Sequence, residues 1–362
     1  METKIISLDP TGFTRLDLEE AVYLMQNGEI IGFPTETVYG LGASILNPES
    51  LKKIYLAKGR PMDNPLIVHI SHMDMLPALV KQIPERISIL CDRYWPGPLT
   101  ILFEKSELVS DLVTAGLSTV AIRMPANEIA RALIRELGEP IAAPSANSSG
   151  KPSPTTAMHV FNDLKGIIPL ILDGGSCDYG VESTVIDVHS NPPLILRPGG
   201  ITLEELQEVL PNIQVYGKNQ KDKALEEKPS TPGLKYTHYS PNAPVILLTG
   251  TNEEIQAKLQ KTYLQYKENQ SKIGIIHTHK TIELPILISQ DQDTYVHSLG
   301  INKNELIDSQ DFNAALIQQG LFAKLREMDM ENVDVIIVEA ISEKKEGLAV
   351  MNRLQKAAFK IL

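Results

Sequence analysis

The sequence predicts an α/β protein in two parts: a twisted mixed-sheet domain over residues 1–216 and a smaller α/β domain over 244–362, joined by a linker over 217–243. Three observations predict it. Short β-rich apolar runs alternate with amphipathic helical stretches down to about residue 216, and the same alternation resumes at residue 244. Between them the composition shifts to Lys, Glu, Asp, Gln and Asn. At 362 residues the chain also exceeds the comfortable size of one hydrophobic core.

In the first part, Ile30–Phe33, Leu66–Ile70, Leu99–Phe103, Thr119–Ile122, Pro169–Leu172, Ser183–Ile186 and Leu194–Leu196 read as buried strands. Helices are predicted over Asp17–Asn27, Pro48–Ala57 and Asn127–Leu137. Each opens at a polar capping residue or proline, and Gly28, Gly59 and Gly138 close them. A short apolar strand end, Ile141–Ala143, stops at Pro144. From Gly217 to Lys228 almost no apolar anchor is left, so that run cannot bury enough surface to fold alone. It leads into Ser230–Pro241, where Tyr236, His238 and Tyr239 lie between prolines; packing alone and a lid over a ligand are both open readings. In the second part, Pro244–Leu248, Ile273–Ile276 and Val333–Val338 are predicted strands, the last with the continuous apolar run of a parallel sheet. Asn252–Asn269, Phe312–Met328 and Gly347–Phe359 are predicted helices, and the last carries Leu348, Met351, Leu354 and Ala358 on one stripe.

The net charge of −11 argues against loose electrostatic binding to nucleic acid, which needs a basic face to displace counterions. A local basic cleft is compatible with it. Only two cysteines occur, Cys91 and Cys177, with no disulfide framework or zinc spacing. The N-terminal residues lack a basic region followed by an apolar core, and no uncharged run is long enough to span a bilayer, so the expected location is cytoplasmic and off the membrane. No Gly-Lys-Ser/Thr phosphate loop and no Gly-x-Ser-x-Gly elbow is present. His277-Thr278-His279 has no third ligand nearby in sequence, and no structural metal is expected.

The chemistry concentrates in Phe33-Pro34-Thr35-Glu36-Thr37-Val38-Tyr39-Gly40-Leu41-Gly42-Ala43, in Lys58-Gly59-Arg60-Pro61 and in Pro144-Ser145-Ala146-Asn147. Pro61 biases Arg60 toward extended backbone, and residues two apart in an extended stretch point the same way, so Lys58 and Arg60 are expected to converge on one anion. Arg offers a planar fork and Lys a compact charge, which together suit a triphosphate. On spacing alone, such a pair is more often a solvated turn. Ser145 and Asn147 shift the balance, since a hydroxyl and an amide just past a strand's carboxyl end are a familiar place for ligand contacts in α/β proteins. Ser148–Pro154 is a hydroxyl-rich loop able to close on phosphate, or a plain surface turn. Arg123, at the end of a buried strand, suits a carboxylate ligand, or an internal ion pair with Glu36 or Glu182. Arg197 before Pro198-Gly199-Gly200 is similar. His69 lies within an apolar strand, where a lone histidine is more often a satisfied core residue than a ligand.

Taken in order, Phe33–Ala43, Lys58–Pro61 with Asp63–Leu66, Trp95–Thr100, Ala121–Pro125, Ala143–Asn147, Glu182–Val185 and Arg197–Thr202 resemble the YrdC family. Pro232–Pro241 and Gly347–Leu354 resemble its longer form with an appended C-terminal domain, so the resemblance covers essentially the whole chain. It implies a YrdC-like mixed-sheet domain, a linker that is also a lid, and a smaller Rossmann-like α/β domain. The activity implied is the conversion of L-threonine, bicarbonate and ATP to L-threonylcarbamoyladenylate and pyrophosphate. That product serves the threonylcarbamoyl modification of the tRNA adenosine beside the anticodon, with a separate transferase machinery as acceptor. Binding of tRNA by the chain itself is then weak or indirect. Mg2+ is expected with ATP, held by phosphate oxygens and water rather than by protein side chains, and no organic cofactor is expected.

Position by position, the resemblance assigns Lys58, Arg60, Asn64, Thr119, Ser145, Ser153 and Arg197 to ATP, with Tyr236 as a lid contact. Thr37, His69, Arg123, Ala143 (through its backbone) and Ser183 go to L-threonine, with Arg123 facing the carboxylate. Lys58, Arg60, Ser145 and Asn147 match the family's signature tetrad. Thr35 is the alternative to Thr37. Two rivals stand beside this reading. An RNA-binding or ribosome-maturation module without turnover needs a basic patch, yet residues 1–210 hold 16 basic against 26 acidic residues, a net of −10. The carbamoyl-adenylating module of hydrogenase maturation proteins comes with Cys-rich zinc-binding parts that a two-cysteine chain lacks.

Overall fold

The computed structural model describes residues 1–217, 239–278, 288, 291, 293–299 and 314–362. Tyr236 and most of the predicted linker lie outside the described residues. The chain divides into two compact units, Met1–Ser149 with Ser153–Tyr236, and Gly150–Pro152 with Thr237–Leu362.

The first unit is organised by an eleven-stranded mixed sheet. Its strands are β1 (Lys4–Ser7), β2 (Ile31–Phe33), β3 (Gly40–Ser44), β4 (Ile67–His69), β5 (Leu99–Glu104), β6 (Thr119–Arg123), β7 (Ile141–Ala142), β8 (Leu170–Asp173), β9 (Thr184–Asp187), β10 (Leu194–Arg197) and β11 (Gln214–Val215). The spatial order is β1-β8-β2-β3-β7-β4-β6-β5-β9-β10-β11. Parallel pairs (β1–β8, β2–β8, β4–β6, β5–β9, β10–β11) are interspersed with antiparallel ones. The inner strands are buried on both faces, which is why they read as continuous apolar runs.

Capping chemistry fixes the helices that flank the site. Asn47 accepts from the amides of Glu49 and Ser50 and opens Pro48–Lys58, and Asn127 caps Glu128–Leu137 through the amide of Ala130. Gly59 closes the first of these in the left-handed region, at φ 60°. There the amides of Gly59 and Arg60 return to the carbonyls of Leu56 and Tyr55, a glycine-terminated helix end that turns the chain sharply after Lys58. The strands β1 and β3 and the helices Glu85–Tyr94 and Ala157–Leu164 were not anticipated from the sequence.

The second unit is a five-stranded parallel sheet of β12 (Val245–Leu248), β13 (Ile273–Thr278), β14 (Thr294–Leu299), β15 (Val335–Glu339) and β16 (Ala358–Ile361), in the order β14-β13-β15-β12-β16. Helices Asn252–Glu268, Ala314–Met330 and Gly347–Ala357 connect them. Ile246, Leu248, Ile255, Leu259, Ile273, Ile275 and Ile337 form its core. The predicted terminal helix is corrected at its end: it stops at Ala357, and the chain continues as β16 along the open edge of β12. Thr249 donates to Leu362 O at 2.8 Å and Leu362 donates to Leu247 O at 2.9 Å, bonds that a helical continuation could not make. Among the described residues, no helix is long and apolar enough to cross a membrane.

Candidate functional site

The site belongs to the first unit, and strand register assembles most of it. His69, at the end of β4, pairs with Arg123, at the end of β6. On the next strands Thr100 pairs with Val185, and Val185 with Arg197. β5 and β6 are themselves paired, Ile101 with Ile122, so residues far apart in sequence are brought onto neighbouring positions of the sheet.

Arg123 is the hub of one cluster. Its Nη2 lies 2.6 Å from Glu36 Oε1, its Nη1 donates to Thr37 Oγ1 at 2.8 Å, and its Nε donates to Gly97 O at 3.2 Å. Both charged side chains are buried, at 4% and 3% exposure. The ion pair is with Glu36; Glu182 instead accepts from Ser153 Oγ at 2.5 Å. Thr35 turns inward and caps its own loop, donating to Val38 O at 2.6 Å, whereas Thr37 meets the guanidinium. His69 is buried beside this cluster, 6.2 Å edge-on from the Phe33 ring. Burial, then the neighbouring Arg123 charge, pulls its pKa down to about 3, so the imidazole is neutral at physiological pH. Its Nδ1 lies 3.2 Å from Ile67 O.

A second cluster joins Arg197, Ser183 and Thr100. Arg197 donates from Nε and Nη2 to Ser183 O at 3.1 and 3.0 Å and from Nη2 to Ser183 Oγ at 3.1 Å, while the Ser183 and Thr100 hydroxyls meet at 2.7 Å. The backbones pack so tightly here that a Cβ on Gly199 would lie 2.2 Å from Glu182 O and 2.4 Å from Thr184 N. Only glycine fits that approach.

The third cluster corrects the expected pleat. Lys58 is the last residue of its helix, not part of an extended stretch, so Lys58 and Arg60 do not converge through alternation. Lys58 Nζ instead donates to Asn147 O at 2.5 Å and to Ser145 O, with Asn147 Oδ1 at 3.4 Å. Ser145 Oγ donates to Asn147 Oδ1 at 2.5 Å. Arg60 reaches Asn64 O at 3.3 Å and Pro65 O at 2.9 Å. Asn64 is buried, and among the described residues its Oδ1 has no hydrogen-bond donor. Ala143 donates its amide to Ile67 O at 2.9 Å. Thr119 stands apart, half-buried at the far end of β6 and paired with Glu104.

Glu36, Glu182 and Thr100 enter the clusters although the sequence reading gave them no ligand role. The available signal was Glu36 itself, the only charge between Phe33 and Ala43. In this unit, among the described residues, the buried charges are Lys58, Arg60, Arg123 and Arg197 against Glu36 and Glu182. Burying charge is costly unless it is matched, and Arg123 and Glu36 match one another directly. No group of three or more His, Cys, Asp and Glu suited to a metal occurs among the described residues.

A mixed α/β sheet with buried arginines at two strand ends and hydroxyls beside them is the construction on which α/β proteins hold ligands. Comparison with known proteins gives the particular family. The Sua5/YciO/YrdC family model, described as "Telomere recombination", matches residues 23–199, and the model for the threonylcarbamoyl-AMP synthase C-terminal domain matches residues 201–359. The threonylcarbamoyl-AMP synthase of Pyrococcus abyssi is 46% identical over 93% of both chains, and that of Bacillus subtilis 46% identical over 94% of this chain and 92% of its own. The crystal structure of P. abyssi Sua5 complexed with L-threonine superimposes with a TM-score of 0.87 at 42% identity, covering 100% of this chain and 99% of that one. The chain belongs to the threonylcarbamoyl-AMP synthase family, whose members are nucleotidyltransferase-type enzymes.

Proposed function

We propose that this chain forms L-threonylcarbamoyladenylate and pyrophosphate from L-threonine, bicarbonate and ATP, and that its product goes to a transferase machinery that modifies the tRNA adenosine beside the anticodon. The observation that carries the reading is the buried Arg123 cluster, in which the guanidinium meets Glu36 and Thr37 beside a neutral His69.

In this reading Arg123 takes the threonine carboxylate, with Thr37, His69, Ser183 and the Ala143 backbone around the rest of the amino acid. Neutral His69 adds shape and hydrogen bonding without a competing charge. Lys58, Arg60, Asn64, Ser145, Ser153 and Arg197 take the nucleotide, with Asn147 holding Lys58 and Ser145 in place. Asn64 Oδ1, lacking a donor among the described residues, would accept one from the ligand. Thr119 is four residues from Arg123 along β6, about 13 Å at about 3.3 Å per residue, a separation that suits the nucleoside end of an extended triphosphate. A carbamate oxygen then attacks the α-phosphorus in line with departing pyrophosphate. Positioning and charge stabilisation in a dry site supply the rate, and no covalent nucleophile is required. Mg2+ would arrive with ATP, held on phosphate oxygens and water.

The test is pyrophosphate release from ATP with L-threonine and bicarbonate present, and then with each omitted. Release that needs both is expected. Release indifferent to threonine, or none from folded protein with Mg2+, would reduce the site to a nucleotide-binding scaffold.

A further inference from the structure

Glu36 is a carboxylate that the reaction above leaves without a task. It is buried at 3% exposure, its Oε1 faces the Arg123 guanidinium, and among the described residues its Oε2 has no hydrogen-bond donor. A buried carboxylate oxygen left without a donor is costly, so the arrangement favours a ligand that brings one. In the proposed complex Arg123 holds the threonine carboxylate. The α-nitrogen is one carbon from that carboxylate, so it is confined beside the same guanidinium and therefore beside Glu36. At neutral pH it arrives as an ammonium, which cannot attack carbon.

We propose that Glu36 is the proton acceptor that turns the bound threonine ammonium into the nucleophilic amine. The inference rests on the reaction proposed above. An N–H bond breaks, the proton passes to Glu36 Oε2, and the electron pair stays on nitrogen. That pair then forms the N–C bond with bicarbonate, giving carbamate and water (R–NH2 + HCO3− → R–NHCO2− + H2O). Glu36 returns its proton to solvent as product leaves. The other titratable groups around Glu36 are Cys177, Asp178 and Tyr179. Burial first, and then the Glu36 charge, holds each of them toward its protonated form. Arg123 is the cation that balances them.

Glu36→Gln in the full chain keeps an acceptor for Arg123 and removes the base. Threonine-dependent pyrophosphate release at pH 7 should fall about 100-fold or more, the scale of general-base catalysis, while threonine binding by calorimetry weakens far less than the rate falls. The deficit should shrink as pH rises and threonine loses its proton unaided. A wild-type rate at pH 7, or a deficit constant with pH, would overturn the proposal, the latter leaving Glu36 as a positioning residue for Arg123. Wild-type protein supplies a second check should the variant not fold. Its kcat/KM for threonine should be flat from pH 7 upward to the amine's own pKa; a rise of tenfold per pH unit would mean that only free amine reacts and that no base operates. Wild-type release without any threonine dependence would sink the reaction itself rather than the part given to Glu36.

Discussion

Replacing Lys58 by Met tests the site where its architecture and its chemistry share one atom. Lys58 Nζ supplies the hydrogen bonds to the carbonyls of Ser145 and Asn147, and Ser149 N in turn donates to Lys58 O at 2.8 Å. A hydrogen bond from a charged donor contributes about 1.5–3 kcal/mol, so two of them place about 3–6 kcal/mol on the loop. Water reaching half-buried Ser145 would restore part of that, leaving a local loss of about 2–4 kcal/mol. Methionine also removes the cation assigned to the phosphates, which should lower kcat/KM for ATP at least tenfold, or about 1.4 kcal/mol. Two assays read the two parts. Pyrophosphate release measures the second, and hydrogen exchange at the amides of Ala146 and Ser149 measures the first. Lys58→Arg should keep the charge but not the paired carbonyl contacts, so its exchange should rise while its rate falls less. Wild-type kinetics with unchanged exchange in Lys58→Met would refute both the geometry and the assignment.

His69, neutral in the fold with a pKa of about 3 against 6.5 when unperturbed, binds fewer protons folded than unfolded between those values. Stability should therefore fall as pH drops from 6.5 toward 3, and His69→Gln should flatten that acid limb in urea titrations; equal limbs would contradict it. Gly199→Ala must push apart the Glu182–Thr184 backbone that anchors Arg197, so thermal unfolding should show a loss of about 1–3 kcal/mol, together with reduced turnover. An alanine variant with unaltered Tm would disprove the close approach. Burial pushes the Cys91 thiol up to about 12 and the Cys177 thiol higher still, so neither should react with a disulfide reagent in native protein at pH 8, and both should react after unfolding. Native reactivity would show that one of them is accessible.

Local chemistry made much of the fold readable. The caps Asn127 and Gly138 bracket their helix where the sequence places them, because capping is decided by residues within one turn of the end. β16 was lost for the opposite reason. Ala358-Phe359-Lys360-Ile361 continues a helical pattern in sequence, and only the open edge of β12, more than 100 residues earlier, makes it a strand. Phe359 and Ile361, 78% and 52% exposed, are then apolar residues without the core that the pattern implied. The site divides in the same way. Thr37 and Arg123 could be singled out as residue types in a motif, but their pairing is set by strand register and loop path. The extended path expected between Lys58 and Arg60 is not the one taken, because Lys58 ends a helix and a left-handed Gly59 separates the two. Glu36 was visible as an isolated charge, and the partner of Arg123 was left open between Glu36 and Glu182 until distance decided it.

The register of β4 on β6, and of β5 on β9 and β10, has a consequence for how errors in this protein are felt. Because alternate residues of a strand face opposite sides, a one-residue slip in any of these pairings would turn His69, Arg123, Thr100 or Arg197 away from its neighbours. His69 pairs with Arg123 54 positions on, and Thr100 with Val185 85 positions on, so neither pairing is made by local structure alone. Pocket and sheet are therefore completed in the same event. A population of molecules under stress should divide into competent and inert, with few that are merely slow, and quality control that reads strand pairing would also be reading competence.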